Sequence, residues 1–292
     1  MIRRLPFWKV QSIGNDFPLI HFQDLQNLDP QSNLNDLLPK LAIDICDRRF
    51  GVGGDGLLAV SKEPDEVRLR MFNPDGTEDF CGNGIRCAAV HAHSQGWVGD
   101  SFVIGHRDRK VPVEIDGATV RTTIGVADYT PEKIPLLGPE LFNATVWSGI
   151  DGGTPLSLFG SVLTTGSTHT IIPTSCLPDD ETFRSVSAKI EVDPKFPERT
   201  SVIWRQEVAP NVLKLRIWER GVGETLGCGT GSSAAAADYL RRSGRGGRVE
   251  VQNPGGTVFV EMAAWNAPVT IEGQAQEVYS GQYLWETSYA PV

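Results

Sequence analysis

Two runs of the chain alternate between apolar and charged residues: VRLRMF from Val67 to Phe72, and LKLRIW from Leu213 to Trp218. A period of two sets one row of side chains on a core and the other toward solvent, so each run predicts a half-buried β-strand. Each strand leads through a glycine-containing turn to a cysteine, in CGNGIRCAA from Cys81 and in CGTGSSAAA from Cys228. Past each cysteine the period lengthens. Ile85, Ala88, Ala89 and Ala92 fall at the spacing of one helix face, as do Ala234, Ala235, Tyr239 and Leu240, with Gly96 and Gly244 as natural stops. A hairpin-like stretch lies beyond each helix: VPVEIDGATVRTTI, turning at Asp116 and Gly117, and RVEVQNPGGTVFVEM, turning between Asn253 and Gly256.

The two halves therefore read alike, and further landmarks extend the likeness. GNDF from Gly14 has a counterpart in GSTH from Gly166, and RRFGVGGDG from Arg48 faces KFPERTSV from Lys195 more weakly. The landmarks recur in the same order at separations of 146 to 152 residues. With 31 glycines in the chain a single Cys-Gly-x-Gly match would carry little weight. The ordered agreement carries the inference of a duplicated α+β domain.

Composition narrows the class of function. A formal charge of −9 over 292 residues argues against a general nucleic-acid or anionic-membrane surface. Arg241, Arg242, Arg245 and Arg248 then read as a solvated helix end. At the start of the chain Lys9 and Gln11 interrupt the apolar residues, and no later run reaches membrane-spanning length, so a cytoplasmic protein is expected. Five scattered cysteines in a chain of this size predict reduced thiols. No Cys-x-x-Cys or His-x-x-x-His pair is present, and no metal site is expected.

Cys81 and Cys228 each sit where a strand gives way to a helix, with Gly82 and Gly84, or Gly229 and Gly231, directly after. Glycine lets the backbone approach a ligand closely, and the first amides of a helix carry partial positive charge. Such a place favours a thiolate and also holds a carboxylate. Two cysteines on opposite faces of one ligand suit the inversion of a carbon centre, one thiolate taking a proton and the other thiol returning one. Cys46, Cys87 and Cys176 lack this context and read as small hydrophobes. A phosphate cradle is the competing reading, but the Gly-Lys-Ser/Thr of a P-loop and the spaced glycines of a dinucleotide fingerprint are missing.

At SIGNDF, RRFGVGGDGLL, FNPDGTEDFCGNGIRCAA, FPERTSV and WERGVGETLGCGTGSSAAAA the chain resembles the diaminopimelate epimerase family of cofactor-independent amino-acid racemases. The resemblance implies two pseudo-symmetric domains, each a curved, barrel-like mixed sheet around a central helix, with the active site in the cleft between them and no pyridoxal phosphate. It places one domain over residues 1–128, joined by 276–292, and the other over 129–275. It implies Cys81 and Cys228 as the acid/base pair, with Gly82, Asn83, Gly229 and Thr230 as donors to the substrate carboxylate. Asn15 and Asn73 correspond to substrate-binding asparagines. Glu219 and Arg220 match the pair that grips the far amino-acid end. His169, which without the family would read as a satisfied core histidine, matches a residue that tunes the cysteine pKa, a task Glu219 shares. Tyr279, in EVYSGQYLWE, matches a tyrosine used in dimerisation, so a homodimer is expected.

The chain departs from the family at two positions, Ser167 in GSTH and Ser201 in RTSV, where asparagine is usual. Both shorten the side chain and remove an amide that donates and accepts at once. The expected activity is interconversion of L,L- and meso-diaminopimelate on the lysine and cell-wall route. A racemase for another amino acid, such as histidine, is the alternative within the class, and a non-catalytic amino-acid-binding protein is the alternative outside it.

Overall fold

In the computed structural model, which describes residues 2–28 and 30–286, the chain divides into two compact units, Met1–Thr122 with Gln274–Val292, and Thr123–Gly273. The first unit opens with β1 (Ile2–Ser12), β2 (Asn15–His21), α1 (Phe22–Leu28), α2 (Leu34–Cys46), β3 (Leu57–Lys62) and β4 (Val67–Phe72). It continues through α3 (Gly82–Ser94), β5 (Ser101–His106), β6 (Arg109–Asp116) and β7 (Thr119–Val126). The second holds β8 (Ala144–Asp151), β9 (Thr154–Thr164), β10 (Thr168–Thr174), α4 (Asp180–Glu191), β11 (Ser201–Ala209), β12 (Val212–Glu219) and β13 (Gly223–Thr225). After these come α5 (Gly229–Ser243), β14 (Gly247–Asn253), β15 (Gly256–Met262) and β16 (Pro268–Gln274). A last strand, β17 (Gln276–Glu286), returns to the first unit.

Strand pairing repeats from one unit to the other. In the first, β17, β1 and β2 pair antiparallel, β2 and β3 parallel, β3 and β4 antiparallel, β4 and β5 parallel, and β5, β6 and β7 antiparallel. In the second, β8, β9 and β10 pair antiparallel, β10 and β11 parallel, β11 and β12 antiparallel, β12 and β14 parallel, and β14, β15 and β16 antiparallel. The two orders are the same, so the duplication seen in the sequence is a duplication of topology. One equivalence shifts. The Asn253–Gly256 turn joins β14 and β15, whose counterparts are β5 and β6, and these turn at Arg107 and Asp108. The Asp116–Gly117 turn belongs to the next hairpin along. The sequence aligned the wrong pair because the Arg107 turn contains no glycine, although Arg107 itself adopts the left-handed conformation (φ 56°).

Each unit wraps its sheet around one helix. Ile85, Cys87, Ala88, Ala89 and Ala92 of α3 share a core with Val10, Leu19, Leu58, Leu69, Ile104 and Val113, which come from six different elements. In α5 every residue from Gly229 to Asp238 is buried. A helix enclosed on all sides needs an apolar circumference and small side chains, which the alanine runs provide. Both helices stop at the glycines the sequence indicated: Gly96 follows the last turn of α3 with φ 66°, and Gly244 caps α5 with φ 66°. Further helices cover outer faces, α1 and α2 over β1 and β3, and α4 over β8, β9, β10 and β11. Among the described residues no helix is long and apolar enough to cross a membrane.

One charged group breaks the apolar rule inside α5. Asp238 is fully buried, and its carboxylate takes hydrogen bonds from Arg205 of β11 (2.9 and 3.1 Å), from Arg242 one turn on (2.9 Å) and from Ser161 Oγ of β9 (2.6 Å). The side chain of Arg205 is only 6% exposed, so removing the carboxylate strands a buried cation. Asp238→Asn should therefore cost about 3–5 kcal/mol, read from the urea midpoint at constant m-value.

Candidate functional site

The two cysteines adopt one local geometry. Cys81 is the N-cap of α3 with φ −133° and ψ 110°, and Cys228 is the N-cap of α5 with φ −127° and ψ 113°. In each case the thiol takes the place of the usual Ser, Thr or Asp oxygen and accepts the amide three residues on. Gly84 N–H reaches Cys81 Sγ at 3.2 Å, and Gly231 N–H reaches Cys228 Sγ at 3.3 Å. Glycine is the residue that fits that third position without displacing a neighbour. A β-carbon on Gly84 would lie 2.9 Å from Leu58 Cδ2, and one on Gly231 would lie 2.8 Å from Ile203 Cδ1. The surrounding side chains differ between the two units.

Around Cys81 the partners are polar and charged. Asn15 Oδ1, at the start of β2, lies 3.9 Å from Cys81 Sγ and accepts a hydrogen bond from Asn83 Nδ2 at 3.1 Å. Asn15 Nδ2 in turn donates to Asp55 Oδ2 at 2.6 Å. Asp55 and Asp16 are tied to Arg48, and Lys9 pairs with Asp16 at 2.6 Å. Burial works to raise the Asp16 carboxyl, but the bonds from Arg48 and Lys9 outweigh it and hold the group below its ordinary range. Behind Asn83 stands Arg86, fully buried, which donates to Asn83 Oδ1 and to Ser12 Oγ (3.0 Å). Asn15 and Asn83 are thus brought to the thiol. The Asn73 side chain closes a turn by donating to Thr77 Oγ1 at 3.0 Å.

Around Cys228 the partners are hydroxyls and one buried ring. Thr230 Oγ1 stands 3.4 Å from Cys228 Sγ and 3.4 Å from His169 Nε2, and Ser167 Oγ lies 3.4 Å from the same nitrogen and 3.5 Å from Thr230 Oγ1. His169 is fully buried, and burial drives its pKa down to about 4, so the ring is neutral at physiological pH. Glu219, the last residue of β12, acts directly on the thiol and takes a hydrogen bond from Thr225 Oγ1 at 2.7 Å. Burial and the Glu219 charge push the Cys228 thiol well up, and the donors Thr230 and Gly231 offset only part of this. The helix start alone would have favoured the thiolate here; desolvation reverses the outcome because Cys228 is only 6% exposed.

The remaining sequence-indicated residues fall into two places. Ser201, first in β11 and level with His169 in the parallel pairing, accepts the backbone N–H of Arg220 at 3.1 Å. The Arg220 guanidinium donates to the Glu198 carbonyl at 3.1 Å. Tyr279 lies on β17, half exposed, with its ring edge-on to Phe7 at 5.9 Å. Sequence reasoning did not single out Asp55, Arg86, Thr225 or His106, whose Nε2 accepts the Cys81 backbone N–H at 3.2 Å. Asp55 and Arg86 sat inside the quoted motifs, whereas no sequence signal marked His106.

Comparison with known proteins follows the same residues. The family model described as diaminopimelate epimerase matches residues 7–130 and 161–278. The chain is 34% identical to a diaminopimelate epimerase of Desulforudis audaxviator, over 96% of this chain and 99% of the relative. It is 36% identical to a diaminopimelate epimerase of Pelotomaculum thermopropionicum, with the same shares covered. Among solved structures, a hydroxyproline epimerase of Agrobacterium vitis superposes with a TM-score of 0.66 at 13% identity, covering 97% of this chain and 91% of that one. A PhzF-family protein of Bacillus anthracis superposes with a TM-score of 0.62 at 18% identity, covering 96% and 99%. These two likenesses are of fold.

Because Glu219 raises the Cys228 thiol, Glu219→Gln should make Cys228 alkylate roughly three- to tenfold faster with iodoacetamide at pH 8, since reactivity follows the thiolate fraction. Peptide mass spectrometry over a time course checks this. An unchanged or slower rate would show that the carboxylate does not govern the thiol.

Proposed function

The chain belongs to the diaminopimelate epimerase family, and on that footing we propose that it interconverts L,L- and meso-diaminopimelate without pyridoxal phosphate, each unit supplying one cysteine to the reaction. The observation that carries this reading is the pair of N-cap thiols with matching backbone angles and matching amide contacts. One thiolate removes the α-proton from its face of the substrate, and the other cysteine, held as a thiol, delivers a proton to the opposite face. The carbon is inverted, and the two sulfurs have exchanged protonation states. The reverse reaction runs from that exchanged state.

The negative charge that develops at the substrate carboxylate needs donors fixed in advance. The first-turn amides of Gly82 and Asn83, and of Gly229 and Thr230, belong to the part of a helix that has no acceptor within the helix, and they supply this stabilisation. Asn15, held between Asn83 and Asp55, presents its amide beside Cys81. Burial and Glu219 favour Cys228 as the thiol, ready to donate. An arriving α-ammonium, a positive charge near the sulfur, favours its thiolate in the other direction.

Arg220 suits the distal carboxylate, because a guanidinium offers a planar fork of donors and only one of its contacts is taken by the Glu198 carbonyl. Ser201 then serves this end through the backbone, as acceptor of the Arg220 N–H. Glu219, placed at Cys228, tunes the thiol. Lysine and peptidoglycan precursor synthesis in the cytoplasm is the setting that this activity implies. For a homodimer, β17 offers Val278, Tyr279 and Leu284, each about half exposed.

The reduced protein incubated with L,L-diaminopimelate in heavy water, with no pyridoxal phosphate, should yield meso product carrying solvent deuterium at the α-carbon. Absence of both exchange and inversion would sink the activity. Cys81→Ala and Cys228→Ala should each abolish inversion, and full turnover by either variant would exclude the two-cysteine scheme. For the assembly, sedimentation at micromolar concentration should give about twice 31.9 kDa; a single species at the chain mass counts against a dimer.

A further inference from the structure

We infer that His106 is a positioning residue for Cys81, a role that rests on the two-cysteine reading above and adds a residue to it. His106 is the last residue of β5, fully buried, and its ring makes two hydrogen bonds: Nδ1 to the Leu69 carbonyl at 3.2 Å and Nε2 to the Cys81 backbone amide at 3.2 Å. The partners fix the chemistry of the ring. A carbonyl only accepts, so Nδ1 carries the proton; a backbone amide only donates, so Nε2 carries none. This neutral tautomer is also what burial favours, with the pKa pushed down to about 4 while Glu78, Arg68 and Arg107 act on the ring more weakly. Phe80 stacks on the imidazole at 5.0 Å with 19° between planes, and Arg109 lies over Phe80 at 4.8 Å, which holds the ring in its plane.

An imidazole is needed at this place because of the glycine at the third position of α3. Ordinarily a Glu or Gln there folds back to accept the N-cap amide while the N-cap side chain caps the third residue. Here the third residue is Gly84, which has no side chain to fold back, and a β-carbon there would crowd Leu58. The thiol makes its half of the reciprocal pair, and the other half must come from elsewhere in the fold. Pairing of β4 with β5 sets Leu69 opposite His106, which brings the ring to the helix start. The Cys81 backbone, from which the sulfur projects, is thereby held by a side chain from β5.

The second unit confirms that this corner is used to anchor the helix. Asn253, last in β14, stands where His106 stands in β5, and its Oδ1 accepts from Ser232 Oγ in α5 at 2.9 Å while Nδ2 donates to the Val251 carbonyl at 3.2 Å. The residue of α3 equivalent to Ser232 is Ile85, which has no donor on its side chain. In the first unit the anchor acts on the N-cap amide itself.

The test uses two variants that each keep one of the two bonds. The amide oxygen of Gln reaches about as far as Nε2, so His106→Gln retains the acceptor for Cys81 and loses the donor to Leu69. His106→Asn reaches only to the position of Nδ1, keeping Leu69 and losing Cys81. We expect His106→Gln to hold kcat within about threefold of wild type. We expect His106→Asn to lose about ten- to a hundredfold in kcat at unchanged KM, the size of effect a slightly displaced reacting group produces.

The pH midpoint for iodoacetamide alkylation of Cys81, read by peptide mass spectrometry, should rise in the Asn variant and stay in place in the Gln variant. Ring ¹⁵N spectra of the wild-type protein at neutral pH should show His106 protonated at Nδ1. Asn and Gln variants alike in both kcat and alkylation, or a ring protonated at Nε2, would overturn the assignment. A merely structural histidine would give activities that follow the melting temperatures of the variants. If the wild type catalyses no epimerisation, the functional reading fails, and the tautomer and the alkylation profiles still decide whether His106 positions the thiol. Should the Asn variant not fold, the tautomer and the Gln variant decide it.

Discussion

A sulfur atom accepting the third amide of a buried helix is the contact on which the rest of the site depends. It holds the sulfur of each cysteine against the helix start, and the glycine that donates, three residues on, keeps a β-carbon away from Leu58 in one unit and Ile203 in the other. It places the thiol at the rim, where a loop after β4 leads into α3 and one after β13 leads into α5. Neighbouring elements then have one place to deliver their side chains: the starts of β2 and β10, the end of β12 and the end of β5 all bring polar groups to a helix start. The apolar residues of each unit lie behind this rim, along the helix and the inward face of its strands.

The two units answer the same constraint with different chemistry. Around Cys81 the second layer is ionic, with Asp16, Asp55, Arg48 and Lys9 interlocked behind two asparagines. Around Cys228 it is neutral and tightly buried, apart from Glu219. Backbone symmetry is therefore close while the electrostatics are not. A thiol surrounded by low-dielectric protein and a carboxylate keeps its proton, so the duplicated fold does not impose a duplicated protonation state.

Much of this was legible in the chain because it depends on local pattern. The strands around Val67 and Leu213, the helices after Cys81 and Cys228, and the stops at Gly96 and Gly244 follow from periodicity and from glycine at positive φ. The cysteine pair was legible through repetition. What remained hidden depends on pairing between distant segments. His106 meets Cys81 only because β5 lies parallel to β4, and the true equivalence of the hairpins was masked by a turn at Arg107 with no glycine. The raised thiol of Cys228 was hidden for another reason: sequence reveals a helix start, whereas the degree of desolvation is a property of the assembled core.

The return of β17 has a consequence for how the polypeptide reaches its final form. Ile2 pairs with Glu286 and Trp8 with Ser280, so the edge of β1 that faces away from β2 is covered by a strand very distant along the chain. The second unit, by contrast, is one continuous stretch, Thr123–Gly273, in which the pairings from β8 to β16 follow one another along the chain. Long-range pairing closes slowly because the loop entropy must be met before any contact rewards it. The continuous unit thus closes on pairings of shorter range, while the other keeps the outer edge of β1, already paired on its inner side with β2, open until β17 reaches it.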